Sequence, residues 1–189
     1  RALDLSGQDA AKARFLECSF HGCSLSDTAL VKARLVDCVL EGVTGVGLDA
    51  SGAVLRGVMV LDARLGAAQA SAASLERVLV RGGKIDFISF RGARLTDVRF
   101  EGCVLTDVDF GAAVLERVEF TDCRLRRVDF SAAKLEQVDL RGAVELDIER
   151  GIEHLGGAVI SPGQLLDLAP AFAAQMGVRV LDRDEPDGR

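Results

Sequence analysis

The stretch ARLTDVRFEGCVLTDVDF, residues 93–110, places a large apolar residue at every fifth position, namely Leu95, Phe100, Leu105 and Phe110. A period of five fits neither the turn of an α-helix nor the alternation of a β-strand. A second apolar series lies two residues earlier, at Ala93, Val98, Cys103 and Val108. Two inward residues separated by one outward residue indicate a short extended segment, and the two remaining residues must turn the chain. Five residues therefore form one side of a coil.

The number of sides follows from a longer repeat of 20 residues. Alanine occupies the same place in seven successive repeats, at positions 13, 33, 53, 73, 93, 113 and 133, and Leu or Phe follows each alanine two residues later. Twenty residues are four fives, so the sequence predicts a four-sided stacked coil. Phe90, Phe110 and Phe130 then face Phe100 and Phe120 from the opposite wall, an alternation of large and smaller residues that a close-packed interior favours.

Segments such as ARLTD, VRFEG, CVLTD and VDFGA resemble the pentapeptide-repeat proteins, and the resemblance covers about residues 13–160. It implies an all-β solenoid, a right-handed quadrilateral β-helix with short strands on its walls and turns at its corners. With neighbouring coils about 4.8 Å apart, about seven coils form a rod on the order of 35 Å long. We therefore assign residues 1–160 to the β-helix.

Three central positions lack the expected Leu or Phe. They hold Gly45, Ala50 and Ala70, which predicts under-filled coils. Residues 41–52 and 66–73 either bulge out as loops or stay within a thinner rod. The alanines at positions 33, 53 and 73 keep their spacing of 20, so we favour an uninterrupted rod that is locally thin or distorted.

The repeat fails again between residues 144 and 152. Leu146 stands out of register there, and the pattern returns at Leu155. We expect the last coil to close at Ile160.

After residue 160 the apolar period becomes helical. Ser161, Pro162 and Gln164 supply an N-cap, a first-turn proline and a capping-box partner, and Gly177 is a stop signal. We predict a helix and closing segment over residues 161–181, kinked or divided at Pro170, and a disordered acidic tail over residues 182–189.

An apolar face of this helix is predicted to cap the rod, because an open rod exposes its core and its unpaired strand edges. The resemblance adds a second possibility, since several pentapeptide-repeat proteins join end to end through leftover apolar surface. The same face then makes a homodimer through the C-terminal end. Its residues are Leu165, Leu168, Phe172 and Met176.

Residues suited to catalysis or metal binding are scarce. All five cysteines occupy the small inward position, which indicates buried thiols in a reducing compartment; they are Cys18, Cys23, Cys38, Cys103 and Cys123. In the segment CSFHGC the two cysteines point inward from different walls and His21 points outward, which does not make a tetrahedral zinc site. No phosphate loop, dinucleotide fingerprint or nucleophile elbow is present. We therefore expect no enzyme activity, no cofactor and no metal.

The formal charge of −6 is unevenly distributed. Residues 144–189 hold nine acids and four bases, whereas residues 1–143 hold 20 acids and 19 bases. A basic footprint is absent, so we expect no direct nucleic-acid binding. There is no apolar run of membrane-spanning length and no signal-peptide pattern. These features predict a cytoplasmic protein without membrane association, and the start at Arg1 suggests a lost native N-terminus.

Function must then reside on the outer surface, where two features emerge. Val39, Met59 and Leu79 project from one wall in successive coils, with Leu61 beside them. They form either a protein-contact patch or scattered surface aliphatics. Acidic residues stack on three walls among interspersed arginines, as a partner surface or as a solvated mixed surface. The acids are Asp109, Asp129, Glu119, Asp139, Glu116 and Glu136.

The chain resembles in particular the bacterial fluoroquinolone-resistance and topoisomerase-poison immunity proteins, which are dimeric rods that mimic duplex DNA and bind DNA gyrase. The full-length rod, the placement of the C-terminal helix and the acidic balance carry this likeness. A body of net charge −1 is a weak mimic unless its charges segregate by face. The alternative is an interaction or scaffold module that uses the apolar patch.

Overall fold

The computed structural model describes residues 2–181; the tail predicted over residues 182–189 lies outside them. The chain forms a parallel β-solenoid of about seven coils with one helix at its C-terminal end. We number the coils from Ala13, so that coil 1 is residues 13–32 and coil 7 is residues 133–152. Walls 1 to 4 of each coil follow in chain order.

Within residues 2–181 the walls consist of short parallel strands that lengthen after residue 74, where they continue around corners. A 3₁₀ turn, η1, spans Ile152–His154, and helix α1 spans Pro162–Gln175. The strands are β1 Arg14–Leu16, β2 Ser19–His21, β3 Arg34–Val36, β4 Val39–Glu41, β5 Thr44–Val46, β6 Val54–Arg56, β7 Met59–Leu61, β8 Arg64–Gly66, β9 Ser74–Arg81, β10 Lys84–Ser89, β11 Arg94–Glu101, β12 Val104–Asp109, β13 Val114–Asp129, β14 Lys134–Glu136, β15 Val138–Arg150 and β16 Ala158–Val159.

Stacked residues on each wall lie 20 positions apart. Leu35, Leu55 and Leu75 pair in sequence on wall 1, and Val39, Met59 and Leu79 pair on wall 2. This register confirms the 20-residue repeat and the four sides. The residue two positions after each large central residue turns the corner in a left-handed conformation, as at Asp97 (φ 54°).

The core of coils 4 to 6 is a double column of phenylalanine rings. On wall 4 the ring of Phe110 stacks between those of Phe90 and Phe130, at centroid distances of 5.3 and 5.5 Å. On wall 2 Phe100 stacks on Phe120 at 4.9 Å. The two columns meet edge to face, with Phe110 and Phe120 at 6.4 Å. The rings thus meet from opposite walls as the sequence predicts.

The thin coils form no loops. Thr44 pairs with Arg64, and Asp49 bridges to Gln69, so residues 41–52 and 66–73 remain in the stacked register. At Gly45 the backbone closes in, since an added Cβ would lie 2.8 Å from the carbonyl carbon of Leu25. Beside Ala50 and Ala70 the walls stay apart and leave a cavity of about 100 Å³. The missing side chains therefore leave a void inside an intact rod.

The irregularity after residue 143 belongs to a series of one-residue register shifts within β15, whose partners in β13 lie either 20 or 21 positions away. Leu125 pairs with Leu146, a spacing of 21, whereas Val138 pairs with Ala158 at the usual spacing of 20. A β-bulge accommodates the extra residue. This explains why Leu146 is out of register in the sequence while the wall continues.

Helix α1 begins as predicted, with Ser161 as N-cap and a capping box completed by Gln164. It runs through Pro170 as one helix to Gln175, so the proline does not divide it. Gly177 follows the C-cap with φ 71°, which confirms the predicted stop.

The helix covers the last coil with only part of its predicted apolar face. Leu168 is 5% exposed and Phe172 is half-buried against the core, whereas Leu165 and Met176 are 50% and 79% exposed. Gln164 completes the cap, because its side-chain nitrogen donates to the carbonyl oxygens of Leu140 (2.8 Å) and Ala143 (3.0 Å). A polar side chain thus satisfies carbonyls at the open end of the rod.

Candidate protein-binding surface

Wall 2 carries a column of outward aliphatic side chains in coils 2 to 4. Met59 pairs with Val39 on one side and Leu79 on the other, and Leu61 lies two residues further along the same strand as Met59. Met59 is 41% exposed, and the other three are half-buried by their neighbours. We call Val39, Met59, Leu61 and Leu79 the apolar ladder. The structure brings together all four residues that the sequence predicts there.

The apolar surface continues around the corner onto wall 1. Leu16 is 63% exposed and pairs with Val36, and both project just before the corner shared with wall 2. This extension was not predicted from the sequence. Its signal was present, because both residues occupy the outward position that follows the large central residue.

Charged pairs border the apolar ladder at both ends. His21 and Glu41 are hydrogen-bonded at 2.8 Å toward the N-terminal end. Arg81 and Arg99 both contact Glu101 toward the C-terminal end, at 2.8 and 3.6 Å. An apolar centre with a polar rim is the usual anatomy of a protein-binding surface.

The predicted acidic residues stack as expected, since Asp109 pairs with Asp129, Glu119 with Asp139 and Glu116 with Glu136. The aspartate side chains among them, however, serve the turns of the solenoid. The carboxylates of Asp109 and Asp129 each accept a hydrogen bond at 2.7 Å from the backbone N–H two residues later, an Asx turn. Asp9 and Asp49 do the same in earlier coils of wall 4. These aspartates have a structural reason to be present.

Arginines neutralise four of the six predicted acids. Asp109 pairs with Arg91 (3.1 Å), Asp129 with Arg150 (3.3 Å) and Asp139 with Arg141 (2.6 Å), and Glu116 pairs with Arg117. Across residues 2–181, Glu119 and Glu136 take part in no ion pair. The acids therefore form a patchwork with arginine and not a continuous negative stripe.

Ion pairs between adjacent coils link further residues 20 positions apart. Arg117 contacts Asp97 at 2.5 Å, and Arg127 contacts Asp107 at 2.6 Å. Hydrogen bonds from each guanidinium lower the pKa of the paired aspartate below its ordinary value. These pairs were not predicted from the sequence, although opposite charges spaced by 20 residues were a readable signal.

The ionisation of Asp129 should make the free energy of unfolding depend on pH. Burial raises its pKa, but hydrogen bonds from Ser131 and the charges of Arg150 and Arg91 outweigh burial, so the pKa is lowered from 3.8. A lowered pKa stabilises the fold above the unfolded value, and this contribution disappears as pH falls through the folded value.

We therefore expect Asp129→Asn, which keeps an oxygen for the Ser131 N–H, to have a flatter pH profile. The difference in free energy of unfolding between wild type and variant should be constant above about pH 5 and shrink below pH 3.8. Urea unfolding from pH 3 to 7 measures it. An unchanged difference at pH 3 contradicts the assignment.

The cysteines and His21 lie as the register requires. Four thiols are buried, Cys18 is half-buried, and His21 is exposed and paired with Glu41. Over the described part of the chain, no group of three His, Cys, Asp or Glu residues is placed to hold a metal ion. No helix in residues 2–181 has the length and apolar character needed to cross a membrane.

Comparison with known proteins finds one family. A family model described as a pentapeptide repeat region matches residues 93–144, and one described as pentapeptide repeats (8 copies) matches residues 2–35 and 73–111. No curated protein matches the chain.

Solved structures with a similar fold include three pentapeptide-repeat or resistance proteins. Rfr23 from the cyanobacterium Cyanothece 51142 is 15% identical, with 64% of this chain and 89% of that chain covered and a TM-score of 0.44. HetL from Nostoc sp. strain PCC 7120, involved in heterocyst differentiation regulation, is 19% identical, with 84% and 91% covered and a TM-score of 0.33. Full-length QnrB1, a plasmid-mediated fluoroquinolone resistance protein, is 15% identical, with 94% and 98% covered and a TM-score of 0.32.

Proposed function

Because the chain belongs to the pentapeptide-repeat family, we propose that it acts without catalysis, by binding a protein partner along the outside of its rod. The observation that carries the proposal is the apolar ladder. Val39, Met59 and Leu79 project outward from one wall in three successive coils, and Met59 is 41% exposed. A partner that covers these side chains removes apolar area from water, at about 25 cal/mol per Å².

DNA gyrase is the partner to test first, because the chain resembles the fluoroquinolone-resistance and topoisomerase-poison immunity proteins. Two modes of binding are open, through the apolar ladder or by mimicry of DNA. Mimicry is supported by wall 2, whose outward positions hold six acids against three arginines. The acids are Glu41, Asp62, Glu101, Glu119, Asp122 and Asp139, and the arginines are Arg81, Arg99 and Arg141. The pairing of four predicted acids with arginine supports the apolar ladder instead.

Three variants distinguish binding through the apolar ladder from mimicry of DNA. We expect Met59→Asp to weaken binding to purified DNA gyrase at least tenfold, about 1.4 kcal/mol, because it places a charge at the centre of the contact. Val104→Asp is the control, since Val104 is a half-buried apolar residue at the same outward position on wall 3. The double variant Glu119→Lys, Asp122→Lys reverses the least compensated charges of wall 2.

A gyrase binding titration and a supercoiling assay, with and without quinolone, provide the measurements. Loss of binding in Met59→Asp alone supports the apolar ladder, and loss in the charge-reversed variant alone supports mimicry. No binding and no effect at micromolar protein exclude gyrase as the partner. If Met59→Asp changes neither binding to gyrase nor the oligomeric state, the apolar ladder has no contact role.

We further propose a homodimer through the C-terminal end. Around α1 several apolar side chains remain uncovered, with exposed fractions of 50% for Leu165, 75% for Leu166 and 79% for Met176. We expect the wild type to sediment at twice its mass of 20.1 kDa and the double variant Leu166→Asp, Met176→Asp to sediment as a monomer. A single monomeric wild-type species at micromolar concentration rules the dimer out.

A further inference from the structure

The cavity inside coils 2 and 3 lies between two layers of apolar side chains. Toward the N-terminal end it is bordered by a layer of four leucines, and toward the C-terminal end by isoleucine and phenylalanine side chains of coils 4 and 5. The leucines are Leu25, Leu30, Leu35 and Leu40, and the opposite layer includes Ile85, Phe90 and Phe100. All seven of these side chains are less than 10% exposed.

The void exists because wall 4 carries short side chains here. Ala50 and Ala70 occupy the column that Phe90, Phe110 and Phe130 fill in later coils. Three larger side chains beside the alanines, Leu55, Val60 and Leu65, are only half-buried although they point into the rod. The strands that carry them pair with the neighbouring coils on both sides, and all three side chains line the cavity.

The lining of the cavity offers water almost no hydrogen-bond partner. Gln69 is the one polar lining residue, and it stands at an outward, exposed position of wall 4. The backbone is already satisfied, since Ala50 N donates to Gln69 O at 2.6 Å and Ala70 N donates to Ser89 O at 2.7 Å. A buried water needs two to four polar partners, so a cavity of this kind stays dry.

We propose that this cavity is a binding site for a small apolar molecule, of the class that includes noble gases and short hydrocarbons. Its volume of about 100 Å³ corresponds to roughly three waters. An apolar cavity of about 150 Å³ in another protein takes up xenon or benzene. Binding here displaces no ordered water and desolvates no polar group, while the guest gains dispersion contacts that the lining now lacks.

Xenon is the probe, and the full chain with ¹³C-labelled methyl groups is the sample. We expect the methyl resonances of Leu55, Val60 and Leu65 to shift with xenon pressure and to saturate. Methyl groups of Leu115 and Leu125, in the filled coil 6, serve as internal controls and should not move. In Ala70→Leu the shifts should disappear, because the added side chain occupies the cavity and leaves the fold intact.

Four outcomes overturn the proposal. In the first two, the methyl resonances of the lining residues do not shift with xenon pressure, or shift no more than those of Leu115. In the third, Ala70→Leu shows the same shifts as the wild type while its circular dichroism shows a folded solenoid. In the fourth, only the methyl resonances of Leu3 and Leu5 shift. These last two residues line a separate open hollow of about 610 Å³ at the N-terminal end of the rod, so their response alone would place the xenon outside the cavity.

Discussion

Replacement of Phe110 by alanine is expected to lower the free energy of unfolding by about 3–5 kcal/mol. The ring is fully buried and contacts three other rings, those of Phe90, Phe120 and Phe130. Its removal opens a void in the middle of the column, and the hydrogen-bonded walls prevent the coils from closing around it. For a chain of this size the loss corresponds to a melting temperature lower by roughly 6–20 °C.

Phe87→Ala is the matched control. Phe87 lies one coil earlier at a corner, is 61% exposed and has a positive φ of 56°, so the loss of its ring costs little. We expect its free energy of unfolding to stay within about 0.5 kcal/mol of the wild type. Urea unfolding followed by circular dichroism measures both variants. Equal losses in Phe110→Ala and Phe87→Ala would show that the column does not carry the stability of the central coils.

The column was predictable because a solenoid converts sequence spacing directly into position. Once the period of 20 is read, Phe90, Phe110 and Phe130 must stack and must face Phe100 and Phe120. The same reasoning places Val39, Met59 and Leu79 on one outward line, and the structure agrees. The capping box at Ser161 was readable for a different reason, since it depends only on residues three apart.

Spacing does not say how the backbone responds to a missing side chain. Gly45 and Ala50 are both small residues at central positions, yet at Gly45 the wall moves in against Leu25 and at Ala50 a void remains. The difference depends on how closely adjacent coils approach, which is a property of the whole cross-section. The acids illustrate a second limit, because the stacking of Asp109 on Asp129 follows from the register, but their turn bonds and arginine partners depend on side-chain geometry.

The local roles of the acids and of the apolar ladder bear on the proposed function. Acids that bond a turn N–H and pair with an arginine are held by the fold, and they are poorly suited to presenting an unbroken negative surface to a partner. The aliphatic side chains of the apolar ladder have no such local task. Met59 contributes 41% of its surface to solvent on a wall whose interior is filled by other residues. This difference supports the apolar ladder, and not the acids, as the surface for the proposed partner.

Gln164→Ala is expected to lower the free energy of unfolding by about 2–4 kcal/mol, because two buried carbonyls lose their donor and the helix loses half of its capping box. In earlier coils, the carbonyl at the position of Ala143 accepts from a backbone N–H of the following coil, as Cys103 O does from Arg124 N at 2.9 Å, and the carbonyl at the position of Leu140 accepts from a thiol of the following coil, as Phe100 O does from Cys123 at 3.3 Å. Where the rod ends, the amide of Gln164 takes that place for Leu140 and Ala143, and its oxygen accepts from Ser161 N at 2.8 Å.

Two further variants separate the roles of this amide. Gln164→Glu keeps the oxygen that accepts from Ser161 N but turns a carboxylate toward the carbonyls of Leu140 and Ala143, so we expect it to be at least as destabilising as Gln164→Ala. Gln175→Ala, in the exposed last turn of the same helix, should change stability by less than about 0.5 kcal/mol. Thermal and urea unfolding measure all three. If Gln164→Glu were as stable as the wild type, the capping box alone would account for Gln164, and the carbonyls at the end of the rod would need no protein donor.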